Sequence, residues 1–115
     1  MDLRSIYEAV GGNYDDCISR LMTEDRMKKY LGKFVASPEY QDMINAFESK
    51  DYEVAFRSSH SLKGMCANLG LTKLGQSASE LCETVRNGAP TIDISGLLDE
   101  VKKDYSNTVD FLQMI

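Results

Sequence analysis

Apolar residues recur along this chain at intervals of three and four, and no alternating strand pattern of useful length appears. That periodicity predicts helices throughout. Breakers and capping residues divide the pattern. A short helix over residues 2–10 stops at Gly11-Gly12, and Asn13 caps a second short segment ending near Met22. Thr23, followed by Glu24 and Asp25, starts a third helix that runs to about Ala36, with its acids near the positive end of the helix dipole. Ser37-Pro38 reads as an N-cap with proline at the first helical position, opening a fourth helix to about Lys50. Asp51 caps a fifth, roughly 52–69, which closes on Gly70. Thr72 starts a sixth, closed by Asn87-Gly88, and Ala89-Pro90-Thr91 is a linker turn. The last helix begins at Asp93 or Ser95, with Leu97, Leu98, Val101, Tyr105, Thr108 and Leu112 on one face.

Four longer helices joined by short turns predict an all-α fold, an antiparallel up-and-down four-helix bundle with short additional N-terminal helices. Short connections should leave consecutive helices side by side. Residues 1–22 are expected to form a helical extension packed on the bundle, and residues 23–115 the bundle itself, one domain in all. No internal repeat or low-complexity segment stands out.

Composition narrows the function. Hydrophobic residues make up 43% of the chain, enough for a packed core. The formal charge of −5 argues against nucleic-acid binding, which needs a basic face, and against attraction to an anionic membrane surface. No apolar stretch is long enough to span a bilayer, and MDLRSIYEAVGG lacks the apolar core of a signal peptide, so a cytoplasmic location is expected. The cysteines, Cys17, Cys66 and Cys82, are odd in number and form no CxxC pair. They read as small, soft side chains, partly buried in a reducing compartment, and not as a zinc site or disulfide framework.

The helix over 52–69 carries the candidate chemistry. At 100° per residue, Ala55, Ser59, Leu62, Cys66 and Leu69 form one buried stripe. His60 falls about 140° from Ala55, pointing to solvent or to the flank of the bundle. Its neighbours at plus three and plus four are Lys63 and Gly64, and Ala67 follows one turn on. Glycine inside a helix costs about 1 kcal/mol relative to alanine. Here it removes a side chain that would crowd the imidazole, giving another protein and a phosphoryl group close access. Lys63 adds a positive charge within reach of a phosphate on His60. Taken singly, the histidine could be a solvated surface residue and the glycine a helix contact point; together they form a pattern.

Imidazole suits the task. With a reference pKa of about 6.5, much of it is neutral near pH 7, with one nitrogen free as a nucleophile while the other holds the proton. A metal role is weak, because His60 is the only histidine and Gly64 takes the plus-four position where a second ligand would stand. The turn near Leu71 sets Cys82 level with His60 on the following helix. On that helix Leu74, Ala78, Leu81 and Val85 form the core stripe, while Gly75, Ser79, Cys82 and Arg86 line one flank. Arg86 could add charge to the site, contact a partner, or be a solvated charge near a helix end. Gly75 lowers the wall beside the groove or allows close helix packing.

The stretch Ala55 to Arg86 resembles the histidine-containing phosphotransfer (HPt) domain family. The matching core is His60-Ser61-Leu62-Lys63-Gly64 and Ala67-Asn68-Leu69-Gly70-Leu71, continued by Leu74, Ala78, Leu81 and Glu83; the resemblance extends more loosely over 23–113. It implies that His60 is the phospho-acceptor, reacting through Nε2, with Lys63 and Gly64 at the family's electrostatic and steric motif positions. Arg86 matches a position where some members carry a basic residue, and Cys82 stands where some carry glutamine. The implied partners are receiver domains of response regulators or hybrid sensor kinases, whose phosphoaspartate and Mg²⁺ supply the other half of the reaction. No cofactor is expected in this chain, and the expected state is a monomer. Phe56 is the first candidate for an apolar docking patch, or else a residue at the core edge; Ala67, Ser79, Cys82 and Arg86 complete the candidate docking set.

Three other readings compete. Autokinase activity would need a nucleotide loop, and neither a P-loop nor a glycine-rich loop occurs. A structural adaptor with a vestigial site is disfavoured by the intact His60, Lys63 and Gly64. Metal or haem binding would have to use His60 with the cysteines.

Overall fold

The computed structural model describes residues 1–115. It contains seven helices and no strand: α1 Leu3–Ala9, α2 Tyr14–Leu21, α3 Glu24–Ala36, α4 Glu39–Ser49, α5 Tyr52–Leu69, α6 Thr72–Glu83 and α7 Ser95–Leu112. The caps expected from sequence are made. Asn13, Thr23 and Asp51 each accept from the backbone N–H three residues on, at 3.0, 3.2 and 3.3 Å. Ser37 accepts from Glu39 N at 3.3 Å, so Pro38 precedes the first helical residue of α4 and does not occupy it.

Two expectations are corrected. The sixth helix does not reach Asn87; α6 ends at Glu83. Beyond it the chain tightens into bonds of three-residue spacing, Val85 N to Cys82 O and Arg86 N to Glu83 O. Consecutive helices are also not all side-by-side neighbours. α3 and α4 do not pack side by side as a pair; α4 lies along α5, while α3 meets both α5 and α7 more lightly. The cause is local. Lys50 and Gly70 are left-handed, with φ of 60° and 68°, and reverse the chain. Ser37, driven out of the helical region by the following proline, is extended at ψ 139° and carries it onward. The bundle therefore has α5, α6 and α7 as three legs and the α3–α4 pair as the fourth.

The core is one cluster of 23 buried hydrophobic residues running from Leu3 to Leu112, so both ends of the chain contribute to the same interior. The predicted stripe of α5 is buried at every position. Ser59 is tolerated there because its hydroxyl donates to the Ala55 carbonyl at 2.7 Å. Asp104 is the unforeseen interior residue. It lies on the buried face of α7, only 5% exposed, with Lys73 Nζ 3.7 Å from its carboxylate.

The short N-terminal helices close the C-terminal end of α5. The last carbonyls of a helix lack partners within it. Here Arg20 donates to Ala67 O at 2.7 Å and Asn68 O at 3.1 Å, the Tyr7 hydroxyl to Leu69 O at 2.7 Å, and Asn13 N to Gly70 O at 2.8 Å. Asp16 holds the Arg20 guanidinium in place through two bonds of 2.6 and 2.7 Å. That ion pair keeps the Asp16 carboxyl below the usual carboxylate range.

Candidate functional site

His60 is exposed on the outer face of α5. The stripe of Ala55, Ser59, Leu62, Cys66 and Leu69 faces inward, and the helical period turns residue 60 away from it. The imidazole stacks on Phe56, one turn back, with ring centroids 5.8 Å apart and planes at 21°. Phe56 is half-buried, packed against the core on one side and carrying His60 on its other edge. Of the two readings of Phe56, the core-edge one describes its packing, and part of its ring is left at the surface.

Gly64, one turn further along, is exposed. A Cβ built there meets no atom within 4 Å. The fold itself therefore does not require glycine at this position. The space beside His60 is open to whatever comes from outside. Gly75 is different: a Cβ there would meet Cys66 Cβ at 3.1 Å, so its role is close packing of α6 on α5.

Lys63 is half-buried and enters none of the ion pairs of the chain. It borders a groove of about 260 Å³, with Asp16, Ala67, Gly70 and Thr72 among the other lining residues. Ala67 is exposed on the same face of α5 and Ser79 is half-buried on α6.

Cys82 departs from its expected place on a docking flank. It is fully buried, and its thiol lies 3.8 Å from the Phe56 carbonyl as a weak donor. The reason is that α6 is packed between α5 and α7, which widens its buried arc beyond the stripe of Leu74, Ala78, Leu81 and Val85. Cys82 thus supports the backbone under Phe56 and offers nothing to a docking protein. Cys17 and Cys66 are buried too, and all three cysteines are free thiols. Burial pushes the Cys66 thiol up to about 12.

Arg86 is exposed, and its guanidinium sits over the Phe56 ring, 5.3 Å from the centroid. Glu83 holds it with two bonds of 2.6 and 3.0 Å. Those bonds draw the Glu83 carboxyl below its usual range, and the nearby charge of Lys63 pulls the same way. Sequence reasoning placed Arg86 near the site but gave Glu83 no role. The acid–base spacing of three residues was the available signal. The result is a row, His60, Phe56, Arg86, with Glu83 at its far end.

The arrangement suits one kind of chemistry: an uncovered nitrogen nucleophile, an unpaired cation one turn away, and cleared space for a large reactant. No group of three or more His, Cys, Asp or Glu side chains is placed to hold a metal ion. No helix is long and apolar enough to cross a membrane.

Comparison with known proteins gives one positive result. No curated protein and no solved structure matches the chain. A family model, that of the Hpt domain, matches residues 34–110. Members of this family are phosphocarriers that interact with receiver domains, and they are not enzymes. The matched span covers two thirds of the sequence and includes His60, Lys63, Gly64 and the whole α5–α6 hairpin, so the chain belongs to the Hpt domain family and has a phosphotransfer role in two-component signalling.

Proposed function

We propose that this protein is a phosphorelay intermediate that accepts a phosphoryl group on His60 and donates it again, exchanging it with the phosphoaspartate of receiver domains. The observation that carries this reading is the exposed His60 ring beside Gly64, where the missing side chain opens onto empty space.

The neutral imidazole attacks phosphorus through the Nε2 lone pair, keeping its proton on Nδ1. The N–P bond forms as the O–P bond to the partner's aspartate breaks, and the electron pair of that bond leaves on the aspartate as a free carboxylate. The reverse step returns the group to a second receiver. Such a transfer asks for positioning and charge stabilisation more than for proton transfer. Lys63 supplies charge, Gly64 supplies approach, and Phe56 fixes the plane of the ring. Mg²⁺ belongs to the receiver and is not needed on this chain. Three buried free thiols suit a reducing compartment such as the cytoplasm.

Phosphate must then come from a partner. Receiver domains labelled on aspartate should pass label to the wild type and not to His60→Gln, and ATP alone should label neither. Label arriving from ATP alone would mean autokinase activity. A wild type that takes no label from any receiver of the same genome would favour an adaptor role.

A further inference from the structure

Glu83 sits on the exposed end of α6, with the guanidinium of Arg86 gripped at 2.6 and 3.0 Å. Arg86 in turn lies over Phe56, its Cζ 5.3 Å from the ring centroid, and that ring stacks on His60. Arg86 is thus one ring away from the nucleophile, and the carboxylate keeps it there. Both members of the pair are half exposed, 50% and 51%, so water competes for each and the pair is weakly held. A phosphoryl group on His60 would bring about two negative charges and three strong acceptor oxygens to the same surface. It would compete with a single half-hydrated carboxylate for the exposed guanidinium.

We propose that Glu83 is a positioning residue that holds Arg86 off His60 while the imidazole is bare and yields it to the phosphoryl group once His60 is phosphorylated. This rests on the phospho-acceptor reading of His60 above. Its consequence is a tuned carrier. Free to move, Arg86 would stabilise the phosphohistidine and slow its departure. Tethered to Glu83, it stabilises it less, and the group is passed on more readily. The carboxylate also repels the arriving phosphoryl group directly, so the two contributions must be separated by experiment.

Phosphoramidate provides the donor without any receiver: its P–N bond breaks, ammonia leaves, and the N–P bond forms on His60. The half-life of the resulting phosphohistidine is then measured at one pH in the wild type, Glu83→Gln, Arg86→Gln and the double variant. Glu83→Gln should lengthen the half-life by roughly threefold or more, and Arg86→Gln should shorten it. In the Arg86→Gln background the Glu83 substitution should lose most of its effect, as expected for residues acting through one another. Glu83→Asp, which keeps the charge, should behave like the wild type. A further readout is the Arg86 Nε–H resonance in NMR spectra, which should move on phosphorylation of the wild type.

An unchanged half-life in Glu83→Gln overturns the proposal. So does an effect of equal size with and without Arg86, which would leave direct repulsion as the whole cause. A stationary Arg86 resonance on phosphorylation overturns it as well. Failure of the wild type to become phosphorylated on His60 at all would instead strike the phospho-acceptor reading, which keeps the two failures apart.

Discussion

Gly75 faces Cys66 across the α5–α6 interface so closely that an added methyl would touch Cys66 Cβ at 3.1 Å, whereas the same methyl at Gly64 would touch nothing. Two glycines on one helical hairpin therefore stand in opposite surroundings. One is required by the packing of the fold; the other is not.

The pair yields a contrast in stability. Gly64→Ala should raise stability by about 1 kcal/mol, because alanine is the better helix former and meets no neighbour. Gly75→Ala should be less stable than the wild type, since Cys66 Cβ is fixed to a buried backbone and can give way only if the helices part. Urea unfolding of both variants checks the signs. The bulkier Gly64→Gln should fold normally yet slow phosphoryl transfer, and transfer at the wild-type rate would count against the access argument.

The N-terminal helices should be needed for the integrity of α5. Tyr7→Phe deletes the hydroxyl that meets Leu69 O and leaves a buried carbonyl short of a partner, a loss of about 1–3 kcal/mol. Gly70→Ala should cost more. Its φ is 68° and a Cβ would come within 2.6 Å of Asn13 O, so backbone must shift against backbone. Thermal denaturation should rank Gly70→Ala below Tyr7→Phe, and Tyr7→Phe below the wild type.

Much of this was legible from residue order, for identifiable reasons. The α5 stripe was readable because one face of an 18-residue helix must be largely apolar, and Ala55, Leu62, Cys66 and Leu69 follow the helical period, with Ser59 as the one polar member and Ser58 buried beside it. The outward position of His60 was readable from its angle to that stripe, and Gly64 stood out because glycine inside a helix runs against propensity. Cys82 was misplaced because its burial depends on α6 being covered from two sides, which no single-helix period reports. Asp104 stayed hidden because a carboxylate on an apolar face makes sense only once Lys73 of α6 is beside it. The end-to-end course of α3 and α4 turned on one backbone angle at Ser37; the spacing of Glu83 and Arg86 permits their pair, but its seat over Phe56 depends on side-chain rotamers.

Alkaline pH should destabilise the protein. Burial holds the Cys66 thiol up to about 12, against an ordinary value of 9.0, and raises the Tyr7 phenol as well. In the unfolded chain both groups release their protons at lower pH than in the fold. Cys66 therefore contributes fully below about pH 9, and its contribution is lost as pH rises toward about 12, by roughly 1.4 kcal/mol per pH unit. Urea midpoints measured across that window should fall, and the decline should be shallower in Cys66→Ala. A flat profile would contradict the burial argument.

Phe56 should matter beyond its packing. Phe56→Leu retains an apolar side chain but removes the ring on which His60 stacks and over which Arg86 lies. Its stability cost should stay within about 1.5 kcal/mol. Phosphoryl transfer should nevertheless slow several-fold, because the imidazole loses the surface that orients it. Transfer and unfolding assays on the same preparation separate the two effects.

The proposed relay turns on a single nitrogen atom. The most direct measurement is to phosphorylate the protein from an aspartyl-phosphorylated receiver, then locate the added group by mass spectrometry and ³¹P NMR under alkaline conditions that preserve P–N bonds. One phosphoryl group on Nε2 of His60, absent from His60→Gln, is the predicted result. Phosphate on any other residue, or undiminished incorporation into His60→Gln, would contradict it.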